Sequence, residues 1–259
     1  MTATDWTDNR LLGAWRQGAQ TIGMWCVIPS SVSAESAASR GFDYVCVDQQ
    51  HGAVGYDASV PMYQVIAQRA VPLTRVPWND PGTIMKALDA GAQGVVVPLV
   101  STVEDAKRAV AACRYPPSGI RSYGPVLASL SLGTREPDRL EQVACVVMIE
   151  TLEGLANVDE IAQVPGIDAV YVGPADLSLV LDLPPSYEHD DPRHAEAIST
   201  ILAACRRHGV VPGIHCADGD MGARRLEEGF QMVTVCNDLA LIGQGSAEAL
   251  AAAKASAEA

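Results

Sequence analysis

PLTRVPWNDPGTIMKALDAGAQGVVVPLV, residues 72–100, contains one full repeat of the chain's architecture. PLTRV (72–76) is a short run of strand formers. DPGTIMKALDAG then offers Asp80 as an N-cap, Pro81 at the first helical position and Gly91 as a C-terminal stop. GVVVPLV (94–100) is apolar without alternation, the pattern of a strand covered on both faces in a parallel sheet. The stretch predicts strand, helix, strand.

The same alternation extends in both directions. TIGMWCVI (21–28), YVCVDQQ (44–50), CVVMIET (145–151), AVYVGP (169–174), VVPGIH (210–215) and MVTVCN (232–237) read as further strands. Helical patterns separate them, among them SVPMYQVIAQRA, STVEDAKRAVAACR and HAEAISTILAACRRHG, and the Ala-rich AEALAAAKASAEA closes the chain. Eight such repeats in 259 residues predict a single α/β domain over 1–259, a (β/α)8 TIM barrel. An open doubly wound sheet is the rival, but no GxGxxG follows the first strand. Two connections are long for a barrel, 115–142 and 181–194.

The net charge of −13 makes nucleic acid and anionic membrane surfaces poor partners. An anionic substrate would need local positive charge from an arginine or a metal. The seven cysteines include no CxxC and sit mostly in apolar runs, so they read as core residues of a reducing compartment. The first residues, MTATDWTDNR, lack the basic and apolar regions of a secretion signal. No apolar run approaches the ~20 residues of a membrane span. A cytoplasmic protein is expected.

In a barrel of this kind, chemistry sits at the C-terminal ends of the strands. Collecting polar residues there gives Asp48, Gln50 and His51 from strand two, Arg75 from strand three and Glu150 from strand five. Asp176 follows strand six, His215 ends strand seven, and Asn237 and Asp238 end strand eight. Glu150 and Asp176 belong to adjacent strands and form a pair of hard oxygen ligands suited to Mg²⁺, Mn²⁺ or Co²⁺. The competing reading makes each acid a cap of the following helix. Arg75 interrupts an apolar strand, either as half of an ion pair or as a fixed guanidinium for an oxyanion. Asp48, three residues before His51, stands where it could orient that imidazole as an acid/base unit. Rim hydrogen bonding is the expected role of His215, Asn237 and Asp238.

FDYVCVDQQHG, the 73–102 segment, RYPPSGIRS, VMIETLEGLANVDEIAQVPGIDAVYVGPADLS and MVTVCNDLALI, in that order, resemble the HpcH/HpaI class II aldolases of the phosphoenolpyruvate/pyruvate superfamily. The resemblance implies metal-dependent, reversible cleavage of a 4-hydroxy-2-oxo acid to pyruvate, or hydroxypyruvate, plus an aldehyde. It implies Glu150 and Asp176 as metal ligands, Arg75 at the keto oxygen and His51 as the acid/base. Substrate contacts would come from Arg75, Gln50, Pro174, Ala175 and Asp176, with the amides of the turn after GPAD available to a carboxylate. Asp89 would pair with His51 of a neighbouring subunit in a homohexamer, a trimer of dimers that exchanges its last helix. Arg121 and Tyr123 of the 115–142 segment are expected to line the aldehyde pocket. No lysine lies on a strand, so Schiff-base chemistry is not expected.

Two positions depart from the family pattern. Gln49-Gln50 stands where Gly-Glu is common, and Met148 replaces a glutamine. These changes bear on water positioning, metal preference and substrate range, and they point to tolerance of more hydroxylated donors. A citryl- or malyl-CoA-type lyase, disfavoured by the acidic charge, and a non-catalytic metal-binding barrel are the alternatives.

Overall fold

The computed structural model describes residues 9–257. Helix α1 (Arg10–Arg16) precedes β1 (Thr21–Cys26), α2 (Ser31–Ala38), β2 (Tyr44–Asp48) and α3 (Tyr56–Ile66). Next come β3 (Val71–Arg75), α4 (Pro81–Asp89), β4 (Gly94–Val97), α5 (Val103–Cys113), α6 (Val126–Leu132), α7 (Pro137–Leu140) and β5 (Ala144–Ile149). Helices α8 (Leu152–Ala156) and α9 (Val158–Ala162) lead to β6 (Ala169–Val172), α10 (Pro174–Val180) and α11 (Pro192–His208). The chain ends with β7 (Val211–His215), α12 (Gly219–Glu228), β8 (Met232–Asn237) and α13 (Asp238–Ala257).

The eight strands pair in parallel and in chain order, and β8 returns to β1 to close the barrel. The strand expected over 44–50 stops at Asp48, and that over 145–151 stops at Ile149. The reason is local in each case. Asp48 accepts the N–H groups of Gln50 and His51 and turns the chain out of the ladder. Glu150 turns inward to accept the N–H of Leu99.

The opening repeat folds as its caps predict. Asp80 accepts the N–H of Thr83, Pro81 begins α4, and Gly91 takes a φ of 111° after its end. Thr102 and Asp105 form a reciprocal capping box at α5. Inside the barrel, the hydroxyls of Tyr44 and Tyr171 meet at Thr234 Oγ1, at 2.9 and 2.7 Å. These rings fill the lumen because Gly23 and Gly213 face them. A Cβ would fall 2.3 Å from the Tyr44 ring at Gly23, and 2.6 Å from the Tyr171 ring at Gly213.

Below them, α1 inserts Leu11, Leu12 and Trp15 into the same apolar cluster and closes the N-terminal end. All seven cysteines are free thiols, six of them buried. Among the described residues, no helix is long and apolar enough to cross a membrane. Helix α13 leaves Leu239, Leu241, Ile242 and Leu250 exposed.

Candidate active site

Asp48 and Arg75 are direct partners at the last step of the β2–β3 ladder, so both side chains enter the same end of the barrel. They form a two-pronged pair, with Arg75 Nε 2.9 Å from Asp48 Oδ1 and Nη2 2.6 Å from Oδ2. Both residues are buried, at 8% and 1% exposure, so neither charge would be tolerated alone. Burial pushes the Asp48 carboxyl up, but the Arg75 hydrogen bonds and charge outweigh it and hold the group below its ordinary range. Asp48 therefore anchors Arg75 and, through two N–H groups, the turn that carries His51. It does so through the backbone, which corrects the expectation that its carboxylate orients the imidazole. The His51 side chain lies exposed on that turn.

The Arg75 guanidinium lies over the Trp25 ring, 4.4 Å from its centroid. Trp25 meets His215 edge-on at 4.9 Å, and Tyr187 stacks on His215 at 5.6 Å. Burial, with the Arg75 charge adding to it, pushes the His215 pKa down to about 4, so this imidazole is neutral near pH 7. His215 thus belongs to the centre of the mouth, not only to its rim. Asn237 and Asp238 do serve the rim: Asn237 accepts from Ala240, while Asp238 accepts from Val27, Ile28 and the Ser33 hydroxyl.

Glu150 is buried at 2% exposure, with Oε1 2.8 Å from the Leu99 N–H. Leu99 presents that N–H from a φ of 56°, a left-handed conformation rare outside glycine and often found at functional sites. On the other side, a Cβ at Gly173 would fall 2.4 Å from Glu150 Oε2, so the turn before α10 fits closely against the carboxylate. Asp176 stands in the first turn of α10, half-buried. Neither acid is a helix cap, since Thr151 caps α8 and α10 has no side-chain cap.

Burial pushes the Glu150 pKa up to about 7. The Leu99 N–H and Arg75 pull it down, and the nearby charge of Asp176 pushes it further up. Two carboxylates that repel each other, beside an arginine already paired with Asp48, fit a divalent cation held by hard oxygen ligands. Among the described residues no group of three His, Cys, Asp or Glu side chains could cage a metal. Water and substrate would complete such a shell.

Gln49 donates to the Tyr63 hydroxyl at 3.2 Å. Gln50 Oε1 is buried without a hydrogen-bond partner, as is Trp25 Nε1. Pro174 and Ala175 open α10 beside Asp176. The lysines at 86, 107 and 254 lie on α4, α5 and α13, away from every strand end.

Asp89 stands apart from this cluster. It ends α4, at the barrel face opposite the mouth, and its Oδ1 is 2.8 Å from Arg121 Nη2. Arg121 is buried against the Tyr115 ring, and Tyr123 donates to the Arg135 carbonyl. The 115–142 segment joins α5 to β5, so it lies at that same opposite face. Arg121 and Tyr123, expected in the aldehyde pocket, thus lie away from their own chain's mouth.

Residues 21–244 match the HpcH/HpaI aldolase/citrate lyase family. The chain belongs to this family. It is 40% identical over 249 residues to the 4-hydroxy-2-oxo-heptane-1,7-dioate aldolase of Salmonella dublin, covering 94% of each chain. It is 36% identical to the hydroxypyruvate/pyruvate aldolase of Rhizorhabdus wittichii, covering 95% of this chain and 99% of that one. A solved HpcH/HpaI family protein from Burkholderia cenocepacia superposes with a TM-score of 0.89 at 30% identity, over 95% of this chain and 99% of the other. The protein is a class II aldolase, a carbon–carbon lyase acting on small oxo acids and aldehydes, from a family that generally depends on a divalent metal.

A search of strand ends for polar groups passes over Trp25, because an aromatic in WCVI reads as core. Yet its ring is what Arg75 and His215 both rest on. Tyr187 is missed because it lies in irregular chain, and Leu99 because the strand expected over 94–100 stops at Val97, before the left-handed turn at Leu99.

The raised Glu150 pKa has a stability consequence. A carboxyl raised in the folded state contributes fully below its unfolded pKa, near 4.5, and that contribution is lost as pH rises through about 7. The metal-free aldolase should therefore lose on the order of 3 kcal/mol between about pH 5 and 8 from this group. Urea denaturation of wild type and Glu150→Gln across that window measures it. The two curves should diverge with rising pH, and parallel curves would refute the assignment.

Proposed function

We propose that this aldolase cleaves a 4-hydroxy-2-oxo acid to pyruvate or hydroxypyruvate plus an aldehyde, and catalyses the reverse condensation, using a divalent cation held by Glu150 and Asp176. The observation that carries the proposal is the Glu150–Asp176 pair facing an arginine fixed by Asp48. When bound, the cation supplies Lewis-acid polarisation of the 2-oxo group.

The chain's own residues supply the rest. Asp48 occupies Nε and Nη2 of Arg75, so Nη1 is the nitrogen outside that pair and serves the developing oxyanion at C2. The N–H groups of Ala175 and Asp176, in the first turn of α10, have no acceptor within the helix and receive the substrate carboxylate. His51 takes the 4-hydroxyl proton. The C3–C4 bond then breaks, its electron pair moves towards the C2 oxygen, and the aldehyde leaves. Protonation at C3 completes the 2-oxo acid.

Residues 1–259 act as one barrel domain in a homohexamer, a trimer of dimers that exchanges α13, whose exposed leucines and isoleucine support such a contact. Asp89, facing away from its own mouth, serves His51 of a neighbouring subunit. Gln50, with its unpartnered oxygen, faces the substrate and favours hydroxylated donors.

Pyruvate release from a generic 4-hydroxy-2-oxo acid, followed before and after EDTA, tests the reaction. Activity should vanish with chelation and return with Mn²⁺ or Mg²⁺, and full activity after thorough chelation would overturn the proposal. Gln50→Glu should lower the kcat/KM ratio of hydroxypyruvate over pyruvate in the condensation direction; an unchanged ratio would remove Gln50 from the donor site. Asp89→Asn and His51→Asn, each inactive alone, should regain about a quarter of wild-type activity when their subunits are mixed and reassembled. No recovery in verified mixed oligomers would exclude the shared site.

A further inference from the structure

His194 is the most deeply buried histidine of the chain to which the reaction gives no role. It is the third residue of α11 and only 1% exposed. Its Nε2 lies 2.9 Å from the carbonyl oxygen of Pro174. A carbonyl can only accept, so Nε2 must carry the hydrogen, and the ring is fixed as a donor toward the turn that opens α10. Ala175 and Asp176 are the next two residues of that turn.

Helix α10 has little hold on itself. It spans seven residues and begins at Gly173 without a side-chain cap. A helix this short depends on contacts outside it. The Pro174 carbonyl accepts from His194 and, at 3.0 Å, from the Ser178 hydroxyl, whose single hydrogen it shares with a second carbonyl. The same hydroxyl lies 3.0 Å from the Ser186 carbonyl, which ties the turn to the segment between α10 and α11. That segment also carries His189, whose Nε2 is 2.7 Å from the Pro184 carbonyl and whose ring meets His194 edge-on at 5.6 Å. Its Tyr187 covers His215 in the mouth. One buried imidazole therefore holds the turn before Asp176 and packs against His189 of the mouth segment, which Ser178 ties to the same turn.

We infer that His194 is a positioning residue that sets the 173–176 turn, and with it the Asp176 carboxylate, against Glu150. The inference rests on the reading of Glu150 and Asp176 as cation ligands. Partners that orient metal ligands from outside typically account for about 10–100-fold in affinity.

Mn²⁺ binding to the metal-stripped full chain, by calorimetry and by electron paramagnetic resonance of free Mn²⁺, tests it without catalysis. Wild type should bind and Asp176→Asn should not. His194→Phe, which keeps the bulk and loses the donor, should bind about 10–100-fold more weakly. His194→Gln can place an amide N–H near the position of Nε2 and should stay within about 3-fold of wild type, whereas the shorter His194→Asn should weaken like Phe. Folded Phe or Asn variants that bind Mn²⁺ as tightly as wild type would overturn the inference while leaving the metal reading intact. If the Phe variant does not fold, the contrast between Gln and Asn decides. Absence of binding by wild type would overturn the metal reading and this inference together.

Discussion

The buried pair of Asp48 and Arg75 is the constraint around which the mouth of the barrel is organised. Removing one partner would leave an uncompensated charge in the interior, at a cost of about 3–5 kcal/mol. The pair is possible because the two residues share the last step of one parallel ladder and so point to the same side of the sheet. One carboxylate then performs three tasks. It fixes the Arg75 guanidinium, it turns the chain after β2, and it presents His51 at the end of that turn. The arginine in turn rests on Trp25, which orders His215 and Tyr187 behind it.

Charge balance explains why the other half of the mouth differs. The Asp48 carboxylate is matched by Arg75, whereas Glu150 feels the charge of Asp176 and neither of these two forms an ion pair among the described residues. Burial and the Asp176 charge together drive Glu150 toward its protonated form near neutral pH. The mouth thus holds one carboxylate matched by a structural ion pair and one carboxylate pair that is not. The strained Leu99 and the tight Gly173 turn hold Glu150 from two sides, so the fold keeps this unmatched group in place instead of letting it relax.

The barrel was legible in the sequence because mostly apolar strand runs alternate with helical patterns, several of them with clear cap residues. Asp80, Pro81 and Gly91 do in the structure what their residue types require. The strand ends were less legible, since Asp48 and Glu150 use their side chains to leave the ladder, and an apolar pattern does not report that. Asp48, Arg75, Glu150 and Asp176 could be picked out because polar groups closing apolar strands are costly without a purpose. The Asp48–Arg75 partnership was not, because it depends on the β2–β3 register. Trp25 hid among core residues. His194 hid because its target, the Pro174 carbonyl, is a backbone atom brought near only when α11 packs against α10.

The two long connections separate by the direction in which each is crossed. The 115–142 segment runs from a helix into a strand, so it falls at the closed end with α1 and cannot reach its own mouth. There it buries Arg121 and gives Asp89 a fixed partner, leaving that carboxylate half-buried in an outward surface. The 181–191 segment follows β6 and the short α10, so it falls at the open end and supplies Tyr187 to the wall around His215. One kind of connection can only shape what a neighbouring molecule meets, while the other shapes what a substrate meets. Length alone marks both as unusual; the polarity of the βα repeat decides which is which.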